Sequence, residues 1–320
     1  MKLGVMMALF AGKTLDEALD YAASQGLDVV EMCCGGYPGS PHWNVAELLS
    51  SAKKRDEAAA KFKDRNLQIS ALSVHGNPLH PDKKIAKEHH EAHRNAVKLA
   101  EKMGVDVVIN FSGCPGDSDR AKHPNWVTCP WPDDFSEIVK WQWDKKVIPY
   151  WKSEAKFAAQ RGIKIAFEMH PGFVVYSTET MLKLREAAGE NLGANFDPSH
   201  LFWQGMDPIV SLRELKDAVF HVHAKDCRID PVMTARNGVL DTKHYGDIFN
   251  RSWVFRTVGF GHGEDFWRDF LSMLRVIGYD GAISIEHEDG LMSVTEGFEK
   301  AVAFLKGLLL REKTGEMWWA

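Results

Sequence analysis

The chain has 320 residues, 45% of them hydrophobic, with 39 Lys and Arg against 44 Asp and Glu. This composition excludes disorder, collagen and coiled coil, and a net charge of −5 with no basic cluster excludes a protein whose main business is nucleic acid. The five Cys follow neither a disulfide framework nor a zinc-knuckle spacing, so a reduced, cytoplasmic setting is expected.

The chain opens with an apolar strand over residues 2–7. That start imitates a short signal peptide, but it has no small-residue cleavage site, and Lys13 then begins an amphipathic pattern. Further strand patterns, rich in Val, Ile and Phe, fall at 27–33, 68–75, 106–112, 164–170, 192–197, 219–223 and 281–286. Helical patterns lie between and after them, at 15–25, 45–65, 83–103, 135–161, 178–188, 208–215, 265–277 and 292–310. Gly26, Gly104, Gly162 and Gly278 each sit just past a helix, where a left-handed cap is wanted. No apolar run approaches the roughly 18 residues a membrane span needs.

Eight strand-then-helix repeats, with strands too apolar to be half exposed, predict a closed (β/α)8 TIM barrel, one domain over residues 1–320. An open doubly wound sheet would want a Gly-rich phosphate turn after the first strand, and MALFAGKT is not one. Three connections exceed plain loops: 35–44, 113–134 and 227–264. All leave the carboxyl ends of strands, the active face of this architecture. Such loops act as lids or binding loops. Their aromatic residues also suit contact between copies, so a homo-oligomer is expected.

The chemistry lies in the last four strands, each of which ends in ligand-type residues. KIAFEMHP carries Glu168 and His170, LGANFDPSH carries Asp197 and His200, VFHVHAKD carries His221, His223, Lys225 and Asp226, and AISIEHED carries Glu286 and Glu288. Residues two apart share one face of a strand, so these pairs point together into the barrel mouth. A carboxylate buried at the top of an apolar strand is costly unless it is paired or metal-bound. Glu, Asp, His and Glu on four consecutive strands would set three negative charges on one axis, which a divalent cation resolves. Carboxylates with one imidazole and no Cys suit Mn, Mg, Co or Zn, with Mn the first choice.

AFEMHP, NFDPSH, HVHAKD and SIEHED, in that order and with VGFGHGEDF between the last two, resemble the xylose-isomerase-like TIM barrels of the sugar phosphate isomerase and epimerase family. The resemblance implies a metal held by Glu168, Asp197, His223 and Glu286. His223 is preferred to His221 because the family's ligand lies three residues before an acidic residue, here Asp226. The resemblance also assigns His75, in SVHGNPLHP, and His200 to the substrate side. Ketose 3-epimerases of the family carry an Arg a few residues beyond the strand-seven His, and Arg228 is the nearest here. They lack a His two after the strand-five Glu. His170 therefore resembles the subgroup acting on 3-keto-glycosides. The AP endonuclease branch needs more metal ligands, and no Asp-x-His pair occurs in 227–264.

The expected chemistry is proton abstraction next to a sugar carbonyl. In an isomerase or epimerase, Glu168 and Glu286 act from opposite sides as acid and base. In a lyase cleaving a 3-keto-glycoside, His170 protonates the leaving oxygen. Trp126 or Trp131 would cover an apolar face of the substrate, and Lys225 is a further electrophile. The remaining alternative is a non-catalytic barrel that binds a sugar or a partner subunit.

Overall fold

The computed structural model describes all 320 residues. Eight parallel strands close into a barrel: β1 (Lys2–Met6), β2 (Val29–Cys33), β3 (Gln68–Ser73), β4 (Val107–Asn110), β5 (Lys164–Glu168), β6 (Leu192–Phe196), β7 (Val219–Ala224) and β10 (Ala282–Ile285). β1 pairs with β10 at the closure, and each other strand pairs with its predecessor in the barrel. The expected barrel is thus observed. Six of the eight strands stop one or two residues before their patterns do, whereas β2 ends with its pattern at Cys33 and β7 runs one residue past its own, to Ala224.

Helices wrap the barrel and bury their apolar stripe on it. The helix Lys83–Met103 starts where the Asp82 carboxylate accepts from the backbone N–H groups of Lys84 and Ile85. It ends at Gly104, whose φ of 68° is the left-handed cap expected there. Residues 45–65, read as one helix, are two: Val45–Ser50 and Ala52–Lys63. Ser51 is extended between them and its hydroxyl caps the second. The long helix expected over 135–161 is continuous but widens at Gln142–Val147. There the Gln142 amide donates to the carbonyls of Pro115, Gly116 and Asn125, which ties down the loop after β4.

The loop after β7 contains elements not anticipated. β8 (Asp226–Ile229) and β9 (Trp253–Arg256) form an antiparallel ribbon over the mouth. Trp253 stacks on Trp203 with ring centroids 4.6 Å apart, and Phe202, Cys227 and Phe255 complete an apolar cluster that pins the ribbon down. No helix is long and apolar enough to cross a membrane.

Candidate functional site

The carboxyl ends of β5, β6, β7 and β10 deliver Glu168, Asp197, His223 and Glu286 to one point. One ligand atom from each lies within 4.8 Å of all the others. Asp197 and His223 are fully buried, Glu168 is nearly so, and Glu286 reaches the cavity above.

Each side chain is positioned by its own partners. The backbone N–H of Ser199 donates to Asp197 Oδ1 at 2.8 Å, which leaves Oδ2 with no hydrogen bond. Glu286 Oε2 is likewise without one, while Oε1 lies 3.2 Å from the Lys225 ammonium. Glu168 is held on both oxygens, by His75 Nε2 at 2.9 Å and His200 Nε2 at 3.1 Å. His223 presents Nδ1 to Glu286 at 3.0 Å, and its Nε2 donates to Glu31 Oε2 at 2.8 Å.

Electrostatics follow from this packing. Burial pushes the Asp197 carboxyl up to about 6, with Glu168 and Glu286 adding to the effect against His200 and Lys225. Burial also opposes charge on Glu168, yet hydrogen bonds from His200, His223 and His75 hold it well below the usual carboxylate range. For Glu286, Lys225 and His223 overcome burial and bring the carboxyl down to about 2. His223, buried but flanked by Glu31 on one nitrogen and by Glu168 and Glu286 on the other, is pushed well up. The pocket is built around positive charge at Nδ1. A divalent cation satisfies the same need and the two orphaned carboxylate oxygens together, so the donor set fits one.

Of the other sequence-derived candidates, His75, His200 and Lys225 join the site. The Lys225 ammonium lies 2.7 Å from Glu288 and 4.4 Å from the Phe255 ring centroid. Burial works against its charge, but Glu286, Glu288 and Asp197 raise it well above the ordinary lysine value. His170 stands on the rim, its ring 4.0 Å from that of His200. It lies closer in than extended geometry would put it: its nitrogen falls within 4.8 Å of Glu168 and His200 ligand atoms, because the chain leaves the strand after Glu168 and turns at Pro171–Gly172. Its Nδ1 is 2.6 Å from the Pro171 carbonyl. A carbonyl only accepts, so the proton sits on Nδ1 and Nε2 is an acceptor.

Three candidates do not reach the site. Trp131 is 72% exposed and lines neither cavity at the mouth. Phe111, which packs on His75 and His170, lines the cavity above the carboxylates. Arg228 is exposed, because the ribbon carries the chain away from the mouth at Asp226. Trp126 packs edge-on against Tyr176 away from the carboxylates. His221 sits deeper than His223 and bonds to Asn195 and Ser70, as its position two residues earlier on the strand predicts. The glycine turn after β9 holds an internal anion. Gly259, Gly261 and His262 donate their backbone N–H groups to Asp226 Oδ2 at 3.1, 3.0 and 2.9 Å.

Sequence reasoning missed Glu31 and Asn195. Glu31 is a lone acid inside the apolar run VVEMC, and that was its signal. Strand register shifts between Val30 and Glu31 and between Ala194 and Asn195. Such bulges re-aim a side chain, and both of these side chains touch His223.

A closed parallel barrel with a carboxylate and imidazole cluster at the strand carboxyl ends defines an enzyme-type TIM barrel architecture. The chain belongs to the xylose isomerase-like TIM barrel family, which it matches over residues 19–308. It is 40% identical over 309 residues to the uncharacterised protein YfiH of Bacillus subtilis (strain 168), covering 96% of this chain and 98% of that one. A segment of 83 residues is 36% identical to inosose dehydratase of Clostridium botulinum (strain Alaska E43 / Type E3), covering 26% and 28% of the two chains. Among solved structures, a D-tagatose 3-epimerase-like protein matches with a TM-score of 0.63 at 22% identity, covering 96% of this chain and 98% of that one. The IolI protein, solved with a bound zinc atom, matches with a TM-score of 0.64 at 18% identity, covering 97% and 98%. Identities at this level carry the fold.

Proposed function

We propose that this protein is a divalent-metal-dependent isomerase or epimerase that removes a proton next to the carbonyl of a sugar or keto-sugar. The observation that carries the reading is the convergence of Glu168, Asp197, His223 and Glu286, with two buried carboxylate oxygens, Asp197 Oδ2 and Glu286 Oε2, that form no hydrogen bond. Those four residues would hold the cation, Mn by first choice. When bound, it supplies Lewis-acid polarisation of substrate oxygen and stabilises the negative charge left by proton removal.

The chain's own residues do the rest. Glu286 is the more open carboxylate, its Oε2 facing His223 Nδ1 at 3.0 Å, and it takes the proton from carbon. Glu168, held by His75 and His200, lies across the site and passes a proton between substrate and these imidazoles. Return of a proton to the opposite face of the same carbon completes an epimerisation with no change in composition. Lys225 donates a hydrogen bond to the developing oxyanion. It is not the Schiff-base nucleophile of the rival mechanism, because an ammonium bound to Glu286 and Glu288 has no free electron pair.

His170 favours a second reading, a lyase that cleaves a 3-keto-glycoside by elimination, and the likeness of one segment to an inosose dehydratase supports it. With its proton on Nδ1, His170 accepts at Nε2 first, and protonates a departing oxygen only after taking that proton. Turnover of the Mn-loaded protein on free ketoses and on 3-keto-glycosides tests both readings. His170→Ala should keep the metal. A loss of about 10²–10⁴ in turnover confined to 3-keto-glycosides would favour the lyase. Ketose epimerisation that survives the substitution would favour the epimerase, and absence of any metal-dependent turnover would leave the non-catalytic sugar-binding barrel.

A further inference from the structure

Above the carboxylates lies a cavity of about 420 Å³, lined by His75, Phe111, Glu168, Lys225 and Glu286 among others. A second cavity, of about 520 Å³, adjoins it beneath the ribbon. His170 and Glu288 line both, so the two meet across that pair. Ligand pockets for drug-sized molecules occupy roughly 300–1,000 Å³. The two cavities together reach the upper part of that range, more than one sugar ring fills.

The second cavity has a different chemistry from the first. Tyr245 and Phe255 stand nearly parallel, with ring centroids 5.7 Å apart, and Ile248, Val254 and Leu291 complete the apolar wall. Its charged residues are already engaged. Asp289 accepts from Arg256 Nε at 3.0 Å and from the backbone N–H groups of Thr257 and Leu291 at 2.8 Å. Glu288 is bound by Lys225, and the His170 Nδ1–H is bound by its own chain. A second sugar ring would bring several hydroxyl groups to a wall with few free partners, and unpaired polar groups are rejected strongly. A flat apolar group meets aromatic and aliphatic surface instead.

We infer that the substrate is a glycoside-type molecule whose sugar ring lies over the carboxylates and whose apolar, flat aglycone lies between Tyr245, Phe255, Ile248 and Leu291. The inference rests on the proposed function for the sugar end. It adds an aglycone site that the reaction itself does not require, and it compels either outcome, epimerisation or elimination, to take place on a glycoside.

The test is the binding of three unreactive probes to the Mn-loaded protein by calorimetry: methyl β-D-glucopyranoside, phenyl β-D-glucopyranoside and cellobiose. The phenyl glycoside should bind about tenfold or more tightly than either of the others, since even a single methylene in an apolar pocket is worth 10-fold or more. Ile248→Ser, in the loop between the ribbon strands, with Leu291→Ser, in the loop after β10, should remove most of that preference and leave methyl glycoside affinity unchanged. Equal affinities, a preference for cellobiose, or no binding of the phenyl glycoside would overturn the inference. The same comparison in Asp197→Ala separates it from the metal reading. A phenyl preference that persists there upholds the aglycone site whether or not the wild-type protein binds Mn, whereas a preference that survives the Ile248 and Leu291 substitutions overturns it.

Discussion

His223 Nε2 lies 2.8 Å from Glu31 Oε2, across the barrel interior from β7 to β2. Ser284 donates to the same oxygen at 3.1 Å. Burial works against ionisation of Glu31, but His223 outweighs it and holds the carboxyl down to about 2. The bond fixes the imidazole plane and turns Nδ1 toward Glu168, Asp197 and Glu286. Carboxylates behind a ligating imidazole act in this way, and their loss costs about 10–100-fold in metal affinity.

Glu31→Gln should therefore weaken Mn binding by about that factor while the barrel stays folded. Titration calorimetry on chelated protein, with circular dichroism as the folding control, reads both. Unchanged affinity would mean that His223 needs no orienting partner.

Asp197 carries a stability penalty in the metal-free protein. Its folded carboxyl is raised to about 6 by burial, so at pH 7.5 it is ionised at a cost to the fold. A raised carboxyl contributes stability below its unfolded value, near 3.8, and that contribution is lost as pH rises through about 6. Asp197→Asn removes the charge at nearly constant shape. The chelated variant should melt at least as high as chelated wild type at pH 7.5 and should lose the Mn-induced rise in Tm. Thermal melts with and without Mn decide the matter; a large Tm loss in the chelated variant would show that the carboxylate is structural.

Asp226 serves a different purpose from its neighbours. Besides the three glycine-turn donors, its Oδ1 accepts from the Cys227 backbone N–H at 2.8 Å and lies 2.8 Å from His262 Nδ1. A Cβ at Gly261 would come within 2.3 Å of the Cys227 carbonyl oxygen and 2.4 Å of Asp226 Oδ1. Asp226→Asn turns an NH2 toward N–H groups, and should cost about 2–4 kcal/mol in a urea melt, since hydrogen bonds to a charged group contribute roughly 1.5–3 kcal/mol each and partial rearrangement recovers some. Gly261→Ala should destabilise in the same direction, by about 1–3 kcal/mol as overpacking does. A near-neutral result for both would mean that the turn holds without this anchor.

A pH effect independent of the site comes from His93, buried on helix Lys83–Met103 against Trp151 with ring centroids 5.4 Å apart. Burial lowers it from 6.5 to about 4, against the pull of Glu154. A lowered imidazole stabilises the fold fully above its unfolded value of 6.5, and that stability is lost as pH falls from 6.5 toward about 4. His93→Gln should flatten the fall of Tm between pH 7 and pH 5. An unchanged slope would place the acid sensitivity elsewhere, with His221, lowered to about 4 by burial, the next group to substitute.

The barrel was legible because its signal is repeated. Each strand pattern is followed by a helical one, and an error at any single boundary leaves the period intact. The convergence of Glu168, Asp197, His223 and Glu286 was legible for a related reason: a carboxylate or imidazole at the polar end of an apolar run has one direction to point. Glu31 was hidden because its run continues apolar on both sides and its aim depends on a register shift that no pattern announces. Trp131 and Arg228 misled because loop residues have no period. Arg228 follows a ribbon whose turn away from the mouth is set by Trp203, Trp253 and Phe255, residues far apart in the chain. His170 shares the cavity its strand position implies but stands closer to Glu168 than an extended chain would carry it, because the strand ends at Glu168.

The central claim is one cation held by four named side chains. Its most direct test is anomalous diffraction from a crystal of the protein soaked in Mn. A single strong peak is expected, with Glu168, Asp197, His223 Nδ1 and Glu286 all within about 2.0–2.3 Å. No peak there, or one centred on Glu168, His170 and His200 instead, would contradict it.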